Sequence, residues 1–156
     1  MELVIVIAII GIILSTAISM GINMRKARAL SQAVDELVYQ LQRAKLTAIK
    51  EFTPASIIID AQRNRYLLDR TSTCTATGEA KVFSLSNDSG RAVYDTSYDL
   101  PDCVTFTPSG VASNTGAIYL TDKDGERKYR IRVSGAGGIS KHIYNRKANS
   151  WYQPGG

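Results

Sequence analysis

The 156-residue sequence predicts an α+β fold: one long N-terminal α-helix, hydrophobic in its first half and amphipathic in its second, packed on an antiparallel β-sheet domain. Three observations predict it. An uncharged apolar run extends from Leu3 to Ile22, helical periodicity then continues unbroken to Phe52, and from Pro54 the pattern changes to short alternating segments separated by turn residues. The chain divides accordingly into 1–24, a transmembrane or assembly half-helix, 25–53, an amphipathic half-helix, and 54–156, a β-rich globular head.

The apolar run is long enough to matter physically. Twenty residues at about 1.5 Å each give roughly 30 Å of helix, the thickness of a bilayer's hydrocarbon core. One carboxylate, Glu2, stands at its head. An acid in hydrocarbon is costly and asks for a cationic partner or a function. Gly11, Ser15 and Ser19 recur every four residues, so they share a face on which another helix can approach closely.

The second half of the helix reads from Leu30, Val34, Leu37, Val38, Leu41, Ala44, Ala48, Ile49 and Phe52, an apolar stripe spaced by threes and fours. With no proline before Pro54, a single helix of about 50 residues, some 75 Å long, is expected. Beyond it, residues 56–60 and 65–69 read as a hairpin turning at Gln62-Arg63-Asn64. Strands follow at 81–85, at Ala92-Val93-Tyr94, at 103–107, and at 117–121 with 128–134 around the turn Asp122-Lys123-Asp124-Gly125. A last strand is expected at 139–144, with a loose polar tail over 145–156.

Charge is uneven along the chain. Residues 53–121 carry five basic and seven acidic side chains, whereas 122–156 carry eight basic and three acidic. Lys128, Arg130 and Arg132 alternate with Tyr129, Ile131 and Val133, so a strand puts three cations on one face. With Lys141, Arg146 and Lys147, and with Tyr144, Trp151 and Tyr152 interleaved for stacking, they form a candidate contact surface for DNA or another acidic partner. A solvated sheet face has the same pattern.

Cys74 and Cys103 lie 29 positions apart, a spacing that fits no metal or redox motif. Outside the cytoplasm the pair reads as one disulfide, worth about 3 kcal/mol in the chain-entropy model; inside it, as two thiols. Arg25, Lys26 and Arg28 follow the apolar run and nothing basic precedes it, which by the positive-inside rule places the head in the cytoplasm. The cysteines argue the opposite. A basic leader ahead of Met1 would reconcile the two.

Enzymatic function is not expected. The only histidine is His142, and no nucleophile elbow, zinc-protease helix or phosphate loop occurs in context. Ser134-Gly135-Ala136-Gly137-Gly138 is glycine-rich, but no helix signal follows it, so it reads as a turn between strands. No cofactor and no metal site is expected.

The run Glu2-Leu3-Val4-Ile5-Val6-Ile7-Ala8-Ile9-Ile10-Gly11-Ile12-Ile13, continued by an amphipathic half-helix and a β head, resembles the type IV pilin superfamily. In that family a short basic leader ends in Gly, followed by Phe-Thr-Leu-x-Glu. A prepilin peptidase cuts after the Gly and methylates the new terminus. Met1 would occupy the x position, so the leader and the first mature residues are expected to be missing from this sequence. The segment 33–50 resembles the amphipathic helix of the GspH/FimT pseudopilin subfamily. Phe106-Thr107-Pro108-Ser109-Gly110 and the segment 133–139 resemble its late strand signatures. Members often have Gly-Arg at the last site, where this chain has Gly137-Gly138-Ile139-Ser140.

The resemblance implies a structural subunit, a minor pilin or pseudopilin, in a type IV pilus or a type II secretion pseudopilus, at its tip or in its initiating complex. It implies a single-pass bacterial inner-membrane protein with a periplasmic β head before assembly. The implied partners are other subunits, through the N-terminal helix, and the prepilin peptidase. In family filaments the Glu2 carboxylate pairs with a neighbour's N-terminal ammonium, which would fix subunit register. Major subunits often carry a bending proline in the apolar half, absent from this chain. The alternative is a DNA-binding minor pilin acting in DNA uptake through the basic C-terminal face.

Overall fold

The computed structural model describes residues 2–85 and 92–154; within 2–27 it describes the helical backbone and, of the side chains, that of Ile7. Helix α1 spans Glu2–Glu51. It stops where Phe52 turns left-handed, with φ of 53°, ahead of Pro54. Leu30, Val34, Leu37, Leu41, Ala44 and Ala48 are fully buried, a stripe with spacings of four and three. Each fully buried leucine contributes roughly 2 kcal/mol. Ile49 and Phe52 depart from the expected stripe, being 39 % and 82 % exposed. Ile49 lies one step around the helix from Ala48, and Phe52 has left the helix altogether.

Among the described residues ten strands follow, in two antiparallel sheets. Strands β1 (Ala55–Asp60), β2 (Arg65–Asp69), β3 (Lys81–Ser84), β5 (Cys103–Phe106) and β6 (Ala112–Ser113) form the first, in the order β3-β2-β1-β5-β6. The second, β10-β9-β8-β7-β4, is built from β4 (Ala92–Tyr94), β7 (Gly116–Asp122), β8 (Lys128–Val133), β9 (Ile139–Asn145) and β10 (Ser150–Tyr152). Both pack on α1. Ile57, Tyr66, Val104 and Phe106 from the first sheet and Ile118, Leu120, Ile131 and Val133 from the second share one core with the helix stripe.

Turn chemistry holds the sheets together. Asn64, at φ 50° in the β1–β2 turn, donates from Nδ2 to the Ala92 carbonyl at 2.7 Å and accepts from the Tyr94 amide at 3.2 Å. One turn residue of the first sheet thereby anchors the edge strand of the second. In the β7–β8 turn, Gly125 takes φ of 69° and the Asp122 carboxylate accepts the Glu126 amide at 2.7 Å. A third junction joins two glycine turns. Gly137 has φ of 74°, and a Cβ there would stand 2.0 Å from the Gly110 carbonyl oxygen. Lys45 of α1 donates to the Gly137 carbonyl at 3.0 Å, and the Ala112 amide donates to Gly135 at 3.0 Å. Helix, first sheet and second sheet meet at this point.

Two elements differ from the sequence reading. The short strand β6 was not expected. The tail is not loose over its whole length, because β10 pairs with β9 from Ser150↔Asn145 to Tyr152↔Ile143. The turn between them is built by asparagines: Asn145 Oδ1 accepts the Lys147 amide at 3.0 Å and Asn149 adopts φ of 48°. Residues 86–91, between the strands expected at 81–85 and at Ala92-Val93-Tyr94, lie outside the described residues.

Candidate functional site

Glu2, Gly11, Ser15 and Ser19 all lie within α1, but their side chains are outside the described residues. So are most side chains of the apolar run; among the described residues no helix is long and apolar enough to cross a membrane.

The C-terminal candidates are described, and register sorts them by face. Ile131 and Val133 are buried toward α1, so Lys128, Arg130 and Arg132 point to the opposite, outer face of the second sheet. Register carries Tyr119 of β7 and His142 of β9 into the row of Arg130. Tyr144 and its partner Trp151 share that outer face. Lys141 does not. It is opposite Ile131 and bonds Asp35 of α1 at 2.6 Å, so it ties β9 to the helix instead of joining the basic surface. Tyr152 also departs from the expected stacking set, because it is opposite Ile143 on the other face. Arg146 and Lys147 sit exposed in the β9–β10 turn.

The outer face is largely self-satisfied. Tyr98 stacks on Tyr119 with centroids 4.1 Å apart and planes 13° from parallel. Trp151 meets Tyr144 at 5.2 Å and Tyr119 at 5.7 Å. Since Tyr119 lies three strands away, the indole must reach across β9 and β8. The Arg130 guanidinium lies 5.0 Å from the Trp151 ring centre, and Lys128 lies 5.2 Å from that of Tyr98. Lys128 also bonds the buried Asp95 carboxylate at 2.7 Å. Burial pushes Asp95 upward, but hydrogen bonds from Lys128 and Ser97 outweigh it and hold the carboxyl below its usual range. The Asp95 hydrogen bond correspondingly holds the Lys128 ammonium above the usual lysine range.

His142 lies under this cover with Nδ1 buried and without a hydrogen-bond partner among the described residues, and Arg130 Nε is in the same condition. Burial, then the positive charges of Arg130 and Arg132, lower the His142 pKa from 6.5, against a weaker opposing backbone hydrogen bond at Arg130. Of the six basic candidates, Arg132, Arg146 and Lys147 are without an ion pair, ring contact or hydrogen-bonded side chain among the described residues. Sequence reasoning missed Tyr98, Tyr119 and Asp95. Tyr119 could have been found from strand alternation; Tyr98 and Asp95, in and before a loop, gave no signal.

Cys74 and Cys103 are joined by a disulfide with Cα atoms 5.4 Å apart, tying the β2–β3 loop to the start of β5. Asn114 Nδ2 lies 3.4 Å from the Cys74 sulfur. A cleft of about 250 Å³ between α1 and the first sheet is lined by Arg43, Thr47, Leu68, Asp69, Arg70 and Lys81. Glu79 lines it as well, and the Asp69 carboxylate is already committed to Thr77 and to the Arg70 amide. Among the described residues no group of His, Cys, Asp and Glu is arranged to hold a metal ion.

Comparison with known proteins bears on the whole arrangement. A family model described as type II transport protein GspH matches residues 33–137. The structure of the minor pseudopilin EpsH from the type 2 secretion system of Vibrio cholerae superposes with a TM-score of 0.55 at 12 % identity, covering 82 % of this chain and 99 % of that one. The type IV minor pilin FimU of Pseudomonas aeruginosa superposes with a TM-score of 0.57 at 18 % identity, covering 72 % of this chain and 87 % of that one. At these identities the two structures show a shared fold: a long helix packed on antiparallel sheets. No curated protein sequence matches.

Proposed function

Because this chain belongs to the GspH family of type II transport proteins, we propose that it is a minor pilin or pseudopilin held in the bacterial inner membrane by residues 3–22. From there it enters a type IV pilus or a type II secretion pseudopilus through α1. The observation that carries this reading is the division of labour along one helix. From Leu30 onward α1 supplies the core of the head, and ahead of it runs an uncharged apolar stretch with a single acid at its start. That stretch suits lipid before assembly and a bundle of like helices afterwards. The disulfide suits a head outside the cytoplasm.

Glu2 then has a specific task. A buried ion pair gives register more reliably than stability, because desolvation offsets much of the Coulomb attraction. An apolar helix surface alone tolerates axial slip. The Glu2 carboxylate, paired with a neighbour's terminal ammonium after leader removal by a prepilin peptidase, fixes how far one helix slides past the next. Gly11, Ser15 and Ser19 let the helices close on each other. DNA uptake is not favoured by the geometry, since Lys128, Arg130 and Lys141 are engaged within the molecule.

A deletion strain tests the reading. Loss of the gene removes surface filaments or stops release of secreted proteins, and re-expression of the gene restores the lost process. Which process is lost assigns the machine. A deletion strain with both intact overturns the reading.

A further inference from the structure

Strand β3 ends the first sheet, with β2 on one side and, among the described residues, no strand on the other. The phase of its ladder follows from one bond. The Leu85 amide donates to the Asn64 carbonyl at 3.1 Å, one step beyond the pair Arg65↔Ser84. Antiparallel partners exchange both backbone bonds at every second residue, so Phe83 and Lys81 bond β2 while the amide and carbonyl of Val82 point away from it. The Val82 side chain is 56 % exposed. A sheet edge with a free peptide unit and an exposed β-branched residue is a template for another strand.

Register decides what flanks this edge. Phe83 stacks on the core residue Tyr66 with ring centres 5.3 Å apart, so Val82 faces away from α1 and Lys81, opposite Leu68, faces toward it. Lys81 therefore lines the cleft of about 250 Å³ together with Arg43 and Thr47 of α1. That volume falls short of the roughly 300–1,000 Å³ of small-molecule sites and suits a single side chain. Its charges divide into spent and unspent. Arg70 bonds Glu51 at 3.1 Å, and Asp69 is held by Thr77 and the Arg70 amide. Arg43, Lys81 and Glu79 are without an ion-pair partner among the described residues. Two unspent cations against one unspent acid leave the cleft short of one carboxylate.

We propose that an extended segment of a different filament subunit adds to the β3 edge, bonding the Val82 peptide unit and placing one Asp or Glu side chain in the cleft between Arg43 and Lys81. Main-chain pairing supplies the attachment. The cleft supplies the choice of segment, because a neutral or basic residue there leaves the two cations unanswered. A second copy does not serve through the same edge: β3 carries no acid, so two β3 strands paired edge to edge would leave both clefts unanswered. The proposal rests on the assembly reading above and names a contact for it outside the apolar run.

Photo-cross-linking in the protein's own bacterium tests it, with Val82→p-benzoylphenylalanine introduced into its own gene. Irradiation gives an adduct whose cross-linked peptide, sequenced by mass spectrometry, belongs to another subunit of the same filament and carries an Asp or Glu within two residues of the attachment point. Adding Arg43→Gln and Lys81→Gln lowers the yield by about tenfold, and adding Glu79→Gln alone raises it by about twofold. All three positions are exposed, and a gain in Glu79→Gln cannot come from a folding defect. No adduct, an adduct with a second copy of this chain, a peptide without an acid, or yields that do not move in opposite directions in the two variants overturns the strand addition. Recovery in the filament fraction separates this from the parent reading. A cross-linkable chain that enters the filament without forming the adduct sinks only the strand addition, and a wild-type chain that never enters it sinks the assembly reading.

Discussion

Gly137 sits at φ of 74° with the Gly110 carbonyl where its Cβ would be, so both its backbone and its surroundings exclude a side chain. Gly137→Ala is therefore expected to destabilise the chain by about 2–4 kcal/mol, combining left-handed strain with a forced separation of two loops. Gly78, with nothing within 4 Å of its Cβ position, is the control. Gly78→Ala should stay within about 0.5 kcal/mol of wild type in urea unfolding. Equal stabilities for the two variants would refute the account of the junction. Both glycine turns were visible in the sequence, as Pro108-Ser109-Gly110 and as the segment 134–138, but only as strand-ending punctuation. That they touch, and that Lys45 clasps them from the helix, depends on tertiary approach that local pattern does not encode.

Among the elements, β10 behaves as a strap. Its three residues are tied to the molecule by pairing with β9 and by Trp151 reaching over Arg130 toward Tyr119. His142 lies beneath, under the positive charges of Arg130 and Arg132, while the Asp95 carboxylate is spent on Lys128. Because folding lowers the pKa of His142 below 6.5, the folded chain holds fewer protons there than the unfolded chain. Stability is complete above that unfolded value and is lost as pH falls toward and through the folded one. Trp151 is the only tryptophan, so its fluorescence reports the strap directly. An emission change on acidification below about pH 6.5 is expected, with the change absent in His142→Gln. A change that persists in that variant would show that another group moves the strap. The longer strands were legible because their apolar alternation is set by burial against α1. The helix was legible because nothing interrupts its period before Pro54. Strand β10 was not, since polar residues surround its one anchoring tryptophan, and neither was β6, which is only two residues long.

For the molecule as a whole, the sequence pattern of a long two-part helix and a β head led to the family, and the fold agrees with it. The basic C-terminal surface was legible only as charge. Its cations divide between a buried carboxylate, an indole face, the helix and open solvent, a partition set by register and long-range packing. What remains for function is the helix. The most direct measurement is recovery of the epitope-tagged protein, expressed from its own gene, in the sheared surface-filament or pseudopilus fraction of its own bacterium, beside a version lacking residues 1–24. The account predicts that the intact chain is found in that fraction and the shortened one is not. An intact chain absent from a fraction that contains the other subunits, or a shortened chain present at the same level, would contradict it.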